Sequence, residues 1–450
     1  MIISPDDQER VDAIEQALLA RWPEVRIDPT TQRIAALMDI LGSPQLTYPT
    51  IHVGGTNGKT TTTRMIDSLL FAHGLRTGRF TSPHLETYRE RIAINGEPID
   101  PKDLIFAYND IAAYLDLMDE KFEHPISFFE AITALGFVAF AEHPVDVGVI
   151  EVGMGGQWDA TNVVDADVSV IMPIGLDHME YLGNTLGEIA QTKAGIIKAG
   201  GFIVMAEQKP EAAKELLRRA AEVEADIARE GIEYSLDSRA IAVGGQMISI
   251  NGVNQKYDEI FLPLHGRHQA TNAASALVAV EAFFGEQALD PDAVRAGFAN
   301  VKSPGRCEVV HRDPTVILDA AHNPHGAQAL AQTLASEFTF DDTIGVVGIF
   351  GDKDAQGILE SLEPILNSII VTSSSSPRAM PVKELESLAI KIFGADRVFS
   401  NENLEGALKR AIDDAKRPLS DDSVGIVVTG SVVTVGEARS ILRRLFSKED

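Results

Sequence analysis

IHVGGTNGKTTTT, residues 51–63, passes from an apolar run through glycine-rich sequence into Lys59 and Thr60. Residues 60–73 then read as a helix, with Met65, Ile66, Leu69 and Leu70 at helical spacing and Gly74 as its stop. Strand, glycine-rich turn and helix N-terminus together make a polyphosphate site. Backbone N–H groups and the helix dipole favour the anion, Gly58 lets the main chain approach, and Lys59 adds a point charge. The Thr60 hydroxyl is placed for magnesium. One position departs from the usual phosphate-loop pattern, which has glycine five residues before the Gly-Lys pair. Val53 stands there, so Gly54 and Gly55 must supply the flexibility.

At 450 residues the chain predicts two to three domains, and 45% hydrophobic with 23% charged residues is a soluble globular composition. The 66 acidic residues outnumber 39 basic ones, for a formal charge of −27. That balance argues against wholesale binding to nucleic acid or anionic membranes, where clustered cations supply the affinity. Anionic small molecules stay accessible, since local cations and dipoles act within a Debye length. A lone cysteine, Cys307, excludes an intrachain disulfide and fits a reducing compartment. The opening MIISPDDQER lacks the basic start and apolar stretch of a signal peptide, and no apolar run is long enough to span a bilayer. A cytoplasmic protein is expected.

Strands and helices alternate over most of the length, which predicts an α/β fold with mostly parallel sheet covered on both faces. Strands are expected at 50–54, 145–152, 168–174 and 202–206, with helices at 60–73, 127–142 and 185–198. Residues 232–264 carry short β-like pieces and read as a small β element, followed by helices at 268–284 and 291–299. After VKSPGRCE (301–308) the alternation restarts, with strands at 315–321, 343–350, 368–372 and 424–430. Helices 324–337, 354–366, 381–393 and 434–446 accompany them. The turn-prone pair Pro304–Gly305 marks the joint, so the domains are expected at 1–303 and 304–450.

The remaining chemistry lies where strands end. Glu151 closes a buried strand, where open α/β sheets bind ligands, and a carboxylate there suits magnesium beside Thr60; a local cap or ion pair is the plainer reading. IGLDHMEYLG places Asp177 and His178 at the same sheet edge, His178 as a metal ligand or a structural histidine. Lys193 and Lys198 fall on one helix; solvation is the plain reading of both, least so for Lys193 among small residues. TSPHLETYRERI (81–92) sets Ser82, Pro83, His84, Arg89 and Arg91 on a loop, where two arginines suit a carboxylate or are simply solvated. Phe128 and Phe129 could stack on a flat ring, though composition favours helix core. In the second domain Asp319, His322 and Asn323 sit at a strand's end, and Arg306 lies in the joint. Ser431 is either a functional residue or a helix N-cap, and SSSSP (373–377) is a loop.

Taken together, the motifs resemble the folylpolyglutamate synthase/dihydrofolate synthase family within the ATP-dependent Mur ligases. They are GTNGKTT (55–61), TSPHL (81–85), EVGMGGQWDATN (151–162), DH (177–178) and KAGI (193–196), then HGRHQATNA (265–273), SPGRCE (303–308), DAAHNP (319–324) and GSVVT (430–434). Each is weak alone; the ordered set is specific, and TSPHL and DAAHNP favour the folate branch. The Val53 departure fits too, because this superfamily shortens the phosphate loop.

The resemblance implies a Mur-ligase-like N-terminal P-loop ATPase domain and a smaller, Rossmann-like α/β C-terminal domain, both contributing to the active site. ATP would be held by Gly55, Thr56, Asn57, Gly58, Lys59, Thr60, Asn272, Arg306 and Asp319. Two magnesium ions are implied, with Thr60, Glu151 and His178 as ligands, and a monovalent cation is allowed. Lys193 matches the lysine that this family carbamylates to N6-carboxylysine. Ser82, Pro83, His84, Arg91, Phe129 and Asp159 fall at the pterin or folate, and His322 and Ser431 at the incoming glutamate. Lys59, Lys193, His178 and His322 would be catalytic. Gln157 stands where the family often has arginine. The expected activity joins L-glutamate to folates, and to dihydropteroate, through an acyl phosphate, in a monomer without nucleic-acid or membrane partners. The rivals are a Mur-type ligase of UDP-sugar peptides and a nucleotide-switch protein.

Overall fold

The computed structural model describes residues 4–23, 26–285, 287–416 and 423–447. Apolar runs bounded by turns become strands, the central ones buried on both faces as in parallel sheets covered by helices and the outermost ones more exposed. In chain order these are β1 (Thr50–Gly54), β2 (Thr77–Phe80), β3 (Ile92–Ile94), β4 (Glu97–Pro98), β5 (Val147–Glu151), β6 (Val168–Ile171), β7 (Phe202–Met205) and β8 (Asp226–Arg229). They form one sheet in the order β4-β3-β2-β5-β1-β6-β7-β8. From β2 to β8 the pairing is parallel, and only β3 and β4 turn antiparallel at one edge. β1 is buried at every residue and lies between β5 and β6, so its C-terminal turn emerges at the middle of the sheet.

The helix after that turn is Lys59–Ala72, and it buries Met65, Ile66, Leu69 and Leu70. Phe128–Glu142, all but continuously apolar, is buried along nearly its whole length, and its start is fixed by a capping box between Ser127 and Glu130. Three short strands occupy the stretch expected to be β-rich: β9 (Ser235–Ala242), β10 (Gly245–Asn251) and β11 (Lys256–Leu262), in the order β11-β10-β9.

A second sheet holds β12 (Glu308–Arg312), β13 (Thr315–Leu318), β14 (Asp342–Val347), β15 (Ser368–Val371), β16 (Val398–Ser400) and β17 (Val424–Thr429). Its order is β12-β13-β17-β14-β15-β16, parallel except for β12 against β13. The chain groups into two compact units. One comprises 1–240, 247–262 and 270–301; the other comprises 241–246, 263–269 and 302–450. Each has its own apolar core, Phe80, Ile132 and Phe140 among others in the first, Leu330, Val347 and Leu385 in the second.

The helix expected over 185–198 is shorter. Leu186–Lys193 ends in a 3₁₀ turn, Ala194–Ile196, so Lys198 is not on the helix with Lys193. Packing decides this: a Cβ on Gly195 would stand 2.5 Å from the Gln157 Cα, so the chain leaves the helix pressed against the 153–162 loop. Helices Pro5–Leu19, Gln32–Ile40, Pro101–Lys121, Pro210–Glu222 and Leu404–Ala415 were not picked out by the alternation, nor were β2, β3, β4, β8, β12 and β16. Among the described residues no helix is long and apolar enough to cross a membrane.

Candidate active site

Gly58 caps the helix Lys59–Ala72 at φ 89°, in the left-handed region that favours glycine. A Cβ there would also meet Asn272 Oδ1 at 2.9 Å, so Asn272 lies directly against the turn. Gly55 has φ 131°, and its own Cβ would strike the Met172 backbone. Thr56 accepts from Gly175 N and donates to Gly175 O through its hydroxyl, and its N–H donates to Pro173 O. The Lys59 ammonium folds back onto Thr56 O at 3.0 Å. Gly55, Thr56, Asn57, Gly58, Lys59, Thr60 and Asn272 are thus brought together.

The parallel register sets Val53 beside Glu151, and the two strand ends place Thr60 Oγ1 2.7 Å from Glu151 Oε1. Glu151 Oε2 accepts from Ser82 N–H at 3.1 Å. Glu151 is therefore no local cap: it joins the phosphate turn to the start of the 81–92 loop. Among the described residues no three His, Cys, Asp or Glu side chains gather to hold a metal by themselves. Thr60 and Glu151 nevertheless supply adjacent hard oxygens, the donor set magnesium takes when phosphate and water complete its shell. His178 caps a short helix, Met179–Leu182, at φ 50°, with Nε2 3.9 Å from Asp177 Oδ2.

Lys193 is buried and donates from Nζ to Gly55 O at 2.8 Å, which overturns any solvated reading. Burial, then the nearby Lys59 charge, pushes its ammonium down to about 7 against the pull of Asp177 and Asp159. Lys198 is tied to Asn162 O at 3.1 Å and is likewise pushed down by burial.

The 81–92 segment is a loop as far as a 3₁₀ turn at Tyr88–Arg91, with Ser82–Pro83 in the cis form. Its arginines are not presented as a pair. Arg89 donates to Ile99 O at 3.0 Å, while Arg91 is buried, donates to His84 Nδ1 at 3.0 Å and lies 4.9 Å over the Phe128 ring. Phe129 is half-buried, 6.1 Å from Phe80 between ring centroids, and a Cβ on Gly153 would collide with it. Phe129 therefore covers the main chain just after Glu151. Asp159 is buried and bound by its own loop: Oδ1 accepts from Thr161 N–H and Oγ1–H, and Oδ2 from Met154 N–H at 2.7 Å. Burial raises its carboxyl from the usual range, opposed by these hydrogen bonds. Gln157 is exposed, with its N–H on Thr192 O.

In the second unit Asp319 Oδ1 accepts from Ala321 N–H and Oδ2 from Cys307 N–H. Burial raises its carboxyl, countered chiefly by Arg306. His322 donates from Nδ1 to Ala320 O at 3.0 Å. Asn323 caps Pro324–Glu337. Ser431 caps Val432–Phe446, accepting Thr434 N–H at 3.0 Å and donating to Thr434 Oγ1 at 2.8 Å, which is its plainer reading.

Arg64 follows Thr60 by one helical turn, and nothing in the local sequence marks it. Burial and then Arg79 push its guanidinium down to about 9, against the pull of Glu90, Glu151 and Asp67. His52 and Thr161 carry no local signal either, one being a strand residue and the other lying in the 3₁₀ turn Ala160–Val163.

The Mur ligase middle domain matches residues 53–280, and the Mur ligase glutamate ligase domain matches residues 305–432. The dihydrofolate synthase/folylpolyglutamate synthase of Mycobacterium tuberculosis is 48% identical, across 99% of this chain and 96% of the relative. The folylpolyglutamate synthase of M. tuberculosis complexed with ADP superposes with TM-score 0.93 at 49% identity, covering 97% of this chain and 98% of that one. Escherichia coli FolC in complex with DHPP and ADP superposes with TM-score 0.83 at 27% identity, covering 98% of each chain.

Proposed function

Because this chain belongs to the dihydrofolate synthase/folylpolyglutamate synthase family of Mur ligases, we propose that it joins L-glutamate both to dihydropteroate and to reduced folates. It is an ATP-dependent acid–amino-acid ligase. The observation that carries the reading is the Gly58–Lys59–Thr60 turn with Thr60 Oγ1 2.7 Å from Glu151.

The acceptor carboxylate attacks the γ-phosphorus of ATP, giving an acyl phosphate and ADP. The glutamate amine then attacks the acyl carbon, the amide forms and phosphate leaves with the bonding pair. An anion must approach a polyanion, so the protein's task is neutralising charge and aligning groups. Lys59 and the helix N-terminus supply positive potential at the phosphates. Thr60 and Glu151 would hold magnesium, and His178 with a carboxylated Lys193 would serve a second ion. Bound there, magnesium supplies charge neutralisation on the phosphate oxygens. Asn272, Arg306 and Asp319 are the remaining nucleotide residues. Phe129, Asp159, Arg91 and the Ser82–His84 turn serve the pteridine, and His322 and Ser431 the incoming glutamate. The place of work is the cytoplasm, as a monomer.

Lys193 is suited to carboxylation because an amine held near 7 has a substantial neutral fraction at neutral pH, where an ordinary lysine is almost wholly charged. Its lone pair can attack CO₂, releasing one proton as the carbamate forms.

A substrate panel decides the assignment: dihydropteroate, tetrahydrofolate and a UDP-muramyl peptide, scored by glutamate-dependent ADP release. Turnover with both pteridine substrates is expected, and Lys59→Ala should abolish it while leaving the circular dichroism spectrum unchanged. Turnover with the muramyl substrate alone would refute the reading.

A further inference from the structure

His52 lies in the middle of β1, opposite Ile150 and Ser169, with no solvent exposure. A valine or isoleucine would pack there without burying a polar group. His52 Nδ1 is buried with no hydrogen-bond partner among the described residues, an arrangement that stability alone does not favour. Its other nitrogen is committed. Nε2 stands 2.8 Å from Thr161 Oγ1, and the Thr161 hydroxyl donates to Asp159 Oδ1 at 2.5 Å.

This chain of bonds has one direction. An ionised Asp159 only accepts, so Thr161 gives its proton to Asp159 and its oxygen must accept from His52. The imidazole is therefore neutral with the proton on Nε2. Reversing the chain would move that proton to Nδ1, where the buried N–H would find no acceptor and be left unsatisfied. The nearby charges agree: Lys198 disfavours a second proton on His52, and Lys193 interacts with Asp159. Asp159 Oδ2 accepts from Met154 N–H at 2.7 Å and the Gly153 N–H also faces this carboxylate, so every protein group that meets Asp159 is a donor and a ligand N–H would join the same acceptor.

Resting on the reading of Asp159 as a pteridine contact, we propose that His52 is a positioning residue which, through Thr161, holds Asp159 as an acceptor-only carboxylate for an N–H donor of the flat heterocycle. The residue acts through its Nε2–H, so any group keeping that donor keeps the function.

The test is the KM for dihydropteroate and, separately, for MgATP in the full-length enzyme. The variants are His52→Leu, His52→Gln, Thr161→Val, Asp159→Asn and the double His52→Leu/Asp159→Asn. His52→Leu and Thr161→Val should each raise the dihydropteroate KM roughly tenfold while the MgATP KM moves less than about twofold, the scale of one lost hydrogen bond. His52→Gln, which retains an N–H donor, should recover most of the loss. The double variant should be no worse than Asp159→Asn alone, since both changes break one chain. Losses that add, or an unchanged KM in Thr161→Val, would overturn the inference while sparing the reading of Asp159. An unchanged KM in Asp159→Asn would instead remove that reading, and the role of His52 with it. Should His52→Leu fail to fold, the nearly isosteric Thr161→Val decides.

Discussion

Lys193 shows how one side chain takes its character from its surroundings. In sequence it is a lysine in a helix; in the fold it is buried against Gly55 O with its ammonium pushed down to about 7. If it works as a carboxylated lysine, Lys193→Ala should lose most turnover and regain part of it with a small carboxylate such as acetate. Wild-type activity in CO₂-depleted buffer should fall and recover with bicarbonate, whereas Lys193→Ala should ignore bicarbonate. Full activity in the alanine variant would return Lys193 to a packing role. The motif was legible at this position, and the small residues beside it weakened the solvated reading; that Gly55 and the 153–162 loop are what enclose it was not legible, because both lie far away in the chain. Ser431 is the complementary case. Its capping bonds are local, so the helix N-cap reading was available from sequence, and the structure shows that cap.

Elements are held in place by close main-chain approach as much as by side chains. A Cβ on Gly156 would stand 2.8 Å from Thr192 O and 2.9 Å from Lys193 O, at the end of the helix Leu186–Lys193. Backbone cannot swing aside as a side chain can. Gly156→Ala should therefore shift the helix end and lower kcat at least tenfold, by the sensitivity of reactive geometry to small misplacement. Folding should survive, with a cost of roughly 1–3 kcal/mol from overpacking. Steady-state kinetics with a urea titration checks both; an unaffected kcat would mean that Lys193 does not depend on this contact. At this scale the central strands and most helices could be read from period and turn residues. Pro101–Lys121 lies outside the strand–helix alternation, and only Asp100 and Pro101 signal its start. The strands β3, β4 and β16 are two or three residues long, too short for alternation to declare itself.

Across the whole molecule, buried ionisable groups tie stability to pH. Burial first, then Lys198, holds His52 down to about 3, below the ordinary histidine range. An unfolded chain takes up this proton near pH 6.5, while the folded chain refuses it until about pH 3. The contribution of neutral His52 is thus fully present above pH 6.5 and is lost as pH falls across that window, by about 1.4 kcal/mol per pH unit. Unmodified Lys193, also depressed, acts in a separate window: its contribution is present above about pH 10.5 and lost as pH falls to 7. The stability of wild type relative to His52→Leu, whichever protein is the more stable, should therefore rise between pH 5 and pH 7.5, with the urea midpoint of the leucine variant flatter across that range. Equal pH dependence in the two proteins would show that His52 is not buried neutral.

By itself the sequence determined the α/β class, the strand–turn–helix that offers a phosphate site, and the ordered motifs that mark a folate-branch ligase. Each of these signals is read from a short run of neighbouring residues, where hydrophobic period, glycine placement and capping chemistry act, and the motifs add only their order along the chain. The sequence also placed Glu151 near Thr60, which the fold turns into a 2.7 Å contact, but only the tertiary structure decided that Lys193 rests on Gly55 and that His52 speaks to Asp159 through Thr161. Those pairs are joined by sheet order and strand register, with β1 set between β5 and β6 and Val53 beside Glu151. A one-residue slip would turn each strand's side chains to the opposite face. Register is a property of packed neighbours distant in the chain, which is why a local reading reaches the residues but not their partners.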